Sequence, residues 1–318
     1  DKNAIRAVAE IYPDVIHFRD ITEFDRNALH GALAGIQVLF VLLIAGFPCQ
    51  GLSGANATKK GFYDPRSQLF FEALRVVKDL QAEQHRLEFL FKNAASMDGQ
   101  DRDLVSYYFG VRPVVAGSSG LAQVRRKRYL WRSWKTTEWT GVSVCEQKSS
   151  WAVNFTAELP PSSLWVTPGW EMVGDSSIRF PTFMRSIPKS SETYLPSGIE
   201  GTPSDARKRW ARDDWRYPPY QYKREFCLQR TTPPHELRLL SANEREVLMF
   251  LGKGATKFAV NPTQVGQDPV SYEDIRCSLI GNSFHAGVFA MALSVLFEKK
   301  GLLPRKPTAQ EMVSRQGL

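Results

Sequence analysis

Apolar residues recur along the chain with two periods, one typical of α-helices and one typical of buried β-strands. Helical spacing predicts helices over 3–11, 64–80, 101–110, 241–254 and 284–300. Strands are predicted over 15–24, 38–44 and 86–94, and in the segments "RPVVAGSS" and "RKRYLWRSW". Ser241 precedes the fourth predicted helix and Glu244 follows three residues later, which is the pattern of a capping box.

The strand predicted over 38–44 consists of seven consecutive apolar residues rich in Val, Leu and Ile. Such an uninterrupted apolar run is typical of a central parallel strand that is covered on both faces. Strands and helices alternate through the first half of the chain, and this alternation predicts an α/β fold with a doubly wound sheet.

The texture of the sequence changes beyond Thr136, where prolines and tryptophans become frequent and apolar segments become short. We therefore predict a catalytic core over 1–135, a smaller irregular lobe over 136–236, and elements that return to the core over 237–300. Residues 301–318 are polar, and we expect a flexible tail there.

Composition is ordinary for a globular protein, with 43% hydrophobic and 23% charged residues, but the formal net charge is +8. The excess is local, in "RRKRYLWRSWK" (125–135) and "RKRWAR" (207–212). Cations interleaved with aromatic rings suit the phosphates and bases of nucleic acid. A solvated basic surface is an equally good interpretation of the same clusters.

The four cysteines are widely spaced and the five histidines are scattered, so no zinc site is predicted. Sparse cysteines fit a reducing intracellular compartment. The apolar run over 32–47 is interrupted by Gln37 and is shorter than the roughly 20 residues that span a bilayer. We therefore expect neither a membrane nor a metal among the partners.

The segment "GFPCQGLSG" (46–54) directly follows the predicted central strand. The carboxyl end of such a strand is where α/β sheets place ligands and catalytic groups. Pro48 restricts the backbone, while Gly51 and Gly54 permit close backbone approach. Cys49 is thus either a positioned nucleophile, reactive as its thiolate, or a small core residue in a loop.

Three further pieces fit a ligand site, although each has a plain structural interpretation. Asp20 in "FRDIT" ends a predicted strand and is either a ligand acceptor or a surface turn residue. Arg126 and Arg128 alternate on a predicted strand and so point the same way. "IGNSF" (280–284) precedes the last predicted helix, where backbone donors either meet an anionic ligand or are simply capped.

These motifs together resemble the cytosine-5 DNA methyltransferases. "GFPCQGLSG" is similar to their catalytic loop, "DIT" to their cofactor-adenine element, and "DPRSQLFFEALRVV" to the helix after the loop. "FLFKNAASM" resembles the strand that normally ends in Glu-Asn-Val, and "QVRRKRYLW" the Arg-x-Arg strand. "FPTFMRSIP", "LLSANEREVLMFLGKG" and "SLIGNSFHAGVFAMAL" resemble the later elements in order, and the spacing is closest to the de novo animal branch.

The resemblance implies a Rossmann-like methyltransferase sheet with a target-recognition lobe. It implies that Cys49 attacks carbon 6 of a cytosine flipped out of double-stranded DNA, and that carbon 5 takes a methyl group from S-adenosyl-L-methionine. Arg126 and Arg128 would contact the base oxygen and order the site. The cofactor-binding residues it implies are Asp20, Ile21, Pro48, Leu69, Asn282 and Ser283. The DNA-binding residues it implies are Gln50, Ser53, Arg125, Lys127 and Arg185.

Two departures from the family pattern stand out. Lys92 occupies the position of the glutamate that would hydrogen-bond ring nitrogen 3 and the exocyclic amine, and an ammonium cannot accept from that amine. Glu88 lies on the same side of the strand but about 13 Å away, too far to substitute. The glycine-rich first loop that should cradle the cofactor has no match before "DIT", which implies a fragment or an incomplete cofactor site.

The departures leave three functions open. The first is a DNA cytosine-5 methyltransferase, which we expect to work in the nucleus. The second is a catalytically impaired, methyltransferase-like DNA-binding or regulatory protein, suggested by Lys92. The third is a tRNA cytosine-5 methyltransferase, because a Pro-Cys-Gln loop also occurs in a tRNA-modifying branch.

Overall fold

A computed structural model describes residues 1–18, 20–83, 86–135, 142–184, 208, 224–260 and 269–315. The helices are α1 (Lys2–Ile11), α2 (Arg26–Leu33), α3 (Leu69–Ala82), α4 (Gly99–Phe109), α5 (Ala242–Leu248), α6 (Pro269–Asn282), α7 (Ala286–Lys299) and α8 (Ala309–Ser314). The strands are β1 (Val41–Gly46), β2 (Leu87–Ala94), β3 (Val114–Ala116), β4 (Arg128–Arg132), β5 (Val142–Gln147), β6 (Ser150–Phe155), β7 (Trp170–Met172), β8 (Leu228–Arg230) and β9 (Leu237–Arg238).

Six strands form the main sheet in the order β1-β2-β4-β3-β6-β5. β1 runs parallel to β2, whereas β4 runs antiparallel to both of its neighbours, β2 and β3. In this register Gly46 at the end of β1 stands beside Lys92 on β2, and Lys92 stands opposite Leu130 on β4. The segment after β1 therefore begins next to the Lys92 backbone.

Helices cover both faces of this sheet, because neighbouring strand residues point to opposite sides. Leu90 and Leu130 pack in a buried cluster with residues of α7 and α8. Phe91 and Trp131, one position further along the same strands, pack with residues of α3 and α4 on the other face. The predicted α/β, doubly wound architecture is confirmed by this sheet and its two helical layers.

Most predicted elements are present, with ends shifted by a few residues. The capping box at α5 is confirmed, since the Ser241 hydroxyl accepts from the Glu244 N–H and the Glu244 carboxylate accepts from the Ser241 N–H. The predicted strand over 15–24 is wrong: its described residues form turns and irregular backbone. There Asp20 accepts hydrogen bonds from the N–H and the hydroxyl of Thr22, which stabilise a local turn in place of a strand ladder.

The tail beyond residue 301 also differs from expectation. α8 begins with a second capping box, formed by Thr308 and Glu311, and it buries Ala309 and Val313 against the main cluster. Two apolar residues at helical spacing are enough to dock a short helix once its first turn is capped.

The described strands of the region predicted as an irregular lobe belong to two sheets. β5 and β6 form a hairpin that extends the main sheet, whereas β7, β8 and β9 form a separate three-stranded sheet. The hairpin thus belongs to the same sheet as the predicted core, although its sequence lies beyond residue 136. The proposed boundaries between core, lobe and returning elements stay a prediction.

The stretch Tyr272–Lys299 is apolar and long enough to cross a membrane by length and composition alone. It consists of most of α6 and all of α7, separated at 283–285. More than half of its most apolar window is buried inside the molecule, and α7 contributes Val288, Ala292 and Val295 to the main core cluster. Burial of this kind is what a core helix requires.

Candidate active site

The loop after β1 is held against β2 by side-chain hydrogen bonds to its backbone. The Asn93 amide donates to the Phe47 carbonyl oxygen at 3.2 Å. The Gly54 N–H donates to the Ser96 hydroxyl oxygen at 3.0 Å. Phe47 is itself buried, in the cluster beneath α3. One end of the loop 47–54 is therefore fixed to β2, and the other end is fixed to the residues just after β2.

Within the loop the chain turns tightly around Cys49. The Cys49 carbonyl oxygen accepts from the N–H groups of Leu52 and Ser53, at 3.0 and 2.7 Å. A Cβ at Gly51 would collide with the side chains of Asp64 and Ser67, so glycine is required there by close approach. The turn leaves the Cys49 side chain half-buried.

Cys49 lies among positive charges. Its sulfur interacts electrostatically with the side chains of Arg66, Lys92 and Arg126. Arg66 is itself paired with Asp64 through two hydrogen bonds, at 2.9 and 2.6 Å, and this pairing holds the pKa of the Asp64 carboxyl at about 2. A partly exposed thiol among cations is the setting in which cysteine acts as a nucleophile.

Lys92 leaves β2 on the face covered by α7. Its Nζ lies 4.7 Å from the centroid of the Phe284 ring, in a cation–π contact. A Cβ at Gly46 would come within 3.0 Å of the Phe284 ring and 3.5 Å of Lys92 Nζ, so the missing side chain at Gly46 provides space for both. Burial, followed by the charges of Arg128 and Arg126, lowers the pKa of Lys92 to about 7, and Cys49 opposes this shift.

The sequence predicts that Glu88 is too far away to replace the glutamate missing at position 92, and its contacts agree with this. Its two carboxylate oxygens are engaged elsewhere, one with Lys300 Nζ at 2.7 Å and one with the Ser133 hydroxyl at 2.6 Å.

The two arginines of the Arg-x-Arg strand differ in their surroundings. Arg126 is buried, and its terminal nitrogens donate to the carbonyl oxygens of Phe183, Gly281 and Ser283 at 3.2, 2.9 and 2.6 Å. Burial, and then the charge of Arg128, lower the pKa of Arg126 well below its ordinary value. Arg128 is half-buried and donates to the Lys127 carbonyl oxygen. Arg126 thus joins the segment just before β4 to the α6–α7 junction.

The structure brings only some of the predicted cofactor residues near the loop. Pro48 belongs to the loop, and Ser283 lies beside it, because its neighbour Phe284 contacts Gly46. Leu69 begins α3 and is half-buried, and Asn282 ends α6 and is exposed. Asp20 and Ile21 lie against the middle of α3, where Arg75 donates to the Ile21 carbonyl oxygen at 2.9 Å.

Two of these residues present groups that fit S-adenosyl-L-methionine. Asp20 is exposed, and Thr22 donates to only one of its carboxylate oxygens, Oδ1, which leaves Oδ2 for a ligand hydroxyl or amine. These hydrogen bonds, first from the Thr22 backbone, lower the pKa of Asp20 and keep it a carboxylate. The exposed amide of Asn282 offers both a donor and an acceptor. The assignment of this set to a cofactor stays a prediction.

The predicted DNA-binding residues lie on two elements. Arg125 and Lys127 are exposed and alternate with the buried Arg126. Gln50 and Ser53 are half-buried in the loop, and the Gln50 Oε1 has no hydrogen-bond partner among the described residues. Arg185 lies outside the described residues.

Three residues that shape the site were not predicted from the sequence. They are Asn93, Ser96 and Phe284. Asn93 and Ser96 hold the loop, and Phe284 packs against Lys92. Asn93 is fully buried, and a buried amide needs hydrogen-bond partners, which it finds in the loop. Among the described residues, no cluster of His, Cys, Asp and Glu could hold a metal ion.

Comparison with known proteins finds similarity over the part of the chain that contains this loop. The family described as "C-5 cytosine-specific DNA methylase" matches residues 1–95. The type II methyltransferase M.NlaIV of Neisseria lactamica is 26% identical over 151 residues, which cover 42% of this chain and 33% of the relative. The orphan methyltransferase M.Rho11sI of Bacillus phage rho11s is 31% identical over 104 residues, which cover 32% of this chain and 18% of the relative.

The chain therefore spans about a third of the length of the first of these curated relatives, and less of the second. Among solved structures, the Entamoeba histolytica methyltransferase EhMeth is similar with a TM-score of 0.52 and 13% identity, covering 94% of this chain and 88% of that one. This likeness concerns the fold.

Proposed function

We propose that the protein transfers a methyl group to carbon 5 of a cytosine in DNA, because the family described as "C-5 cytosine-specific DNA methylase" matches residues 1–95, which include the loop that carries Cys49. The observation that carries this proposal is Cys49, half-buried at the end of β1, in a loop fixed at both ends and surrounded by three basic side chains. Duplex DNA as the substrate is supported by the exposed Arg125 and Lys127 beside the site.

In this mechanism the base leaves the duplex, because its ring atoms cannot be reached inside the stack. Cys49 attacks carbon 6 as the thiolate, and the electron pair displaced from the carbon 5–carbon 6 bond makes carbon 5 nucleophilic. Arg128, half-buried at the start of β4, would contact the base, while Arg126 holds the α6–α7 junction beside it. The loop geometry keeps the Cys49 sulfur aimed while the bond forms.

S-adenosyl-L-methionine, when bound, supplies an electrophilic methyl group. Asp20 and Asn282 would hold its hydroxyl and amine groups, and Pro48 and Ser283 would border it near the loop. These assignments rest on the family pattern together with the exposure of the two polar side chains.

A second candidate function is supported by Lys92 itself. Lys92 and Phe284 fill the space beside Gly46, and the adjacent cavity has a volume of only about 10 Å³. This leaves little free volume on the α7 face beside the start of the loop that carries Cys49. A DNA-binding or regulatory protein that no longer catalyses methylation would have this arrangement at its former site.

Methyl transfer by the whole protein that contains this chain distinguishes the candidates. Labelled methyl transfer to duplex DNA, and its loss in Cys49→Ala by at least about 10²-fold, is the expected result. Cys145→Ala serves as the matched control, since Cys145 is exposed on β5, outside the loop. Transfer to tRNA in preference to DNA would favour the third function, and DNA binding without transfer to either would favour the regulatory one.

A further inference from the structure

A small cavity lies on the face of the sheet that carries Lys92, between β2, β4 and the start of α7. Its volume is about 10 Å³, roughly what one water molecule or one oxygen atom needs. It is lined by Lys92, Arg126, Arg128, Leu130, Phe284, His285, Val288 and Phe289. Two of these residues, Arg126 and His285, are almost completely buried.

The polar atoms of this cavity are hydrogen-bond donors. The Arg126 Nε and the His285 Nε2 are buried and have no partner among the described residues. The His285 Nδ1 accepts from the Val288 N–H, which leaves the ring proton on Nε2. Burial, and then the charge of Arg126, lower the pKa of His285 to about 3, so the ring is neutral and Nε2 stays a donor. Lys92, whose pKa is lowered to about 7, adds an ammonium below that pH, so the donor-only lining is complete at about pH 6.

No acceptor side chain balances these donors. Of the described residues that line the cavity, none carries a carboxylate, an amide or a hydroxyl. The buried donors would be stabilised by an acceptor atom the size of an oxygen, whereas a further donor would leave both partners unpaired.

The two common pyrimidines differ in just this feature. Cytosine carries an amine at ring carbon 4, which donates, and uracil carries a carbonyl oxygen there, which accepts. A donor-only surface that faces this edge therefore penalises cytosine and favours uracil.

We propose that Lys92 determines base specificity and opens the site to uracil, whose oxygen at carbon 4 would occupy the donor-lined cavity. This rests on the proposed function, because it assumes that Cys49 attacks a pyrimidine. The bond-forming step is balanced within the base. The Cys49 sulfur bonds to carbon 6, and the electron pair of the carbon 5–carbon 6 bond moves through the ring onto the oxygen at carbon 4. There Lys92 holds the resulting oxyanion.

Without a methyl donor the same addition can be observed directly. In deuterated water carbon 5 of the adduct takes a deuteron from solvent, then loses its original proton to solvent, and elimination of the Cys49 thiolate restores the base. Nothing is consumed, and the product is a pyrimidine with deuterium at carbon 5. Mass spectrometry of the DNA reports this exchange without any cofactor.

The experiment uses the whole protein and two duplexes that differ only at one target base, uracil or cytosine, within randomised flanks. The target stands opposite an abasic site in both, so that unpairing costs the same. We expect uracil to exchange at least about 10-fold faster than cytosine, and we expect Lys92→Glu to reverse the preference. Lys92→Gln, whose amide both donates and accepts, should bring the ratio close to one. Lys148→Glu, the same charge change on the exposed β5–β6 turn, should leave the ratio unaltered.

The possible results separate this proposal from the proposed function. A wild-type preference for cytosine, or a ratio that is the same in Lys92→Glu, overturns the specificity proposal. Exchange of cytosine by Lys92→Glu, with no exchange of either base by the wild type, also overturns it but leaves Cys49 as the nucleophile. No exchange by any of these folded proteins overturns both.

Discussion

Lys92 destabilises the folded protein. Its side chain leaves a central strand toward the core face covered by α7, and among the described residues it has no carboxylate as its ion-pair partner. The Phe284 ring, with its centroid 4.7 Å from Nζ, compensates for part of the lost hydration. The nearby charges of Arg126 and Arg128 add repulsion. A residue retained under these conditions needs a functional or a packing reason.

The pH dependence of stability should reveal this cost. The pKa of Lys92 is lowered from 10.5 to about 7 by folding. The unfolded chain therefore binds more protons between these values, and stability rises with pH across the window. The penalty is fully present below about pH 7. We expect Lys92→Met to raise the free energy of unfolding by about 1–3 kcal/mol at pH 6, and by progressively less toward pH 10.

Thermal or urea unfolding monitored at several pH values measures this difference. Lys148→Met, at an exposed turn, is the matched control and should show no such trend. A stability difference for Lys92→Met that does not depend on pH would contradict the assignment of a buried, titrating amine.

For individual residues, the sequence predicted their place in the fold better than it predicted the contacts between their side chains. The order of apolar strand, proline, cysteine and glycine was sufficient to place Cys49 at the carboxyl end of β1. The contact between Lys92 and Phe284 joins residues 192 positions apart, and no local pattern encodes such a pairing. Gly51 was predicted to allow close approach, but its neighbour Asp64 becomes visible only in three dimensions.

Among the elements, the junction between α6 and α7 depends most on a single side chain. Among the described residues, the Arg126 side chain donates to the Gly281 and Ser283 carbonyl oxygens, and both lie where α6 ends and α7 has not yet begun. Carbonyls at a helix end lack partners within the helix. A buried guanidinium supplies several donors at once in fixed geometry, which a lysine cannot reproduce.

We therefore expect Arg126→Met to destabilise the protein by about 3 kcal/mol or more, because one buried and two partly buried carbonyl oxygens lose their donor. Arg125→Met is the matched control, since the adjacent arginine is exposed, and it should change stability by less than about 0.5 kcal/mol. Denaturant unfolding of both variants measures this. Equal stability of the two would mean that Arg126 does not hold the junction.

Two predictions of secondary structure, the strand over 15–24 and the flexible tail that contains α8, differ from the structure for physical reasons. The segment 15–24 alternates like a strand, but the Asp20 and Thr22 side chains satisfy its backbone locally, and its apolar residues Val15 and Phe18 are exposed. α8 was missed because its six residues provide too short a pattern, although Thr308 and Glu311 did carry the capping-box signature. Local hydrogen bonding by side chains outweighed periodicity in the first case and supplemented it in the second.

At the scale of the whole molecule, the formal net charge is +8, and the basic side chains that contribute to it are partly exposed and partly buried. In the "RRKR" segment Arg126 is buried and serves the fold, whereas Arg125 and Lys127 are exposed. The basic cluster in the sequence is thus partly structural and partly available to a polyanion. Composition alone could not separate these roles, because they depend on which strand residues face α7.

DNA affinity should depend on salt through the exposed members of this cluster. Each phosphate contact releases counterions, so the slope of log affinity against log salt should fall by about 1 for Arg125→Ala and by about 1 for Lys127→Ala. Because phosphate contacts carry no sequence information, both variants should weaken binding to all duplexes about equally. Lys148→Ala removes the same charge from the far end of the β5–β6 hairpin, remote in sequence from the loop, and should leave the slope unchanged. Fluorescence anisotropy across a salt series measures all three, and equal slopes for Lys127→Ala and the wild type would show that the basic segment before β4 does not face DNA.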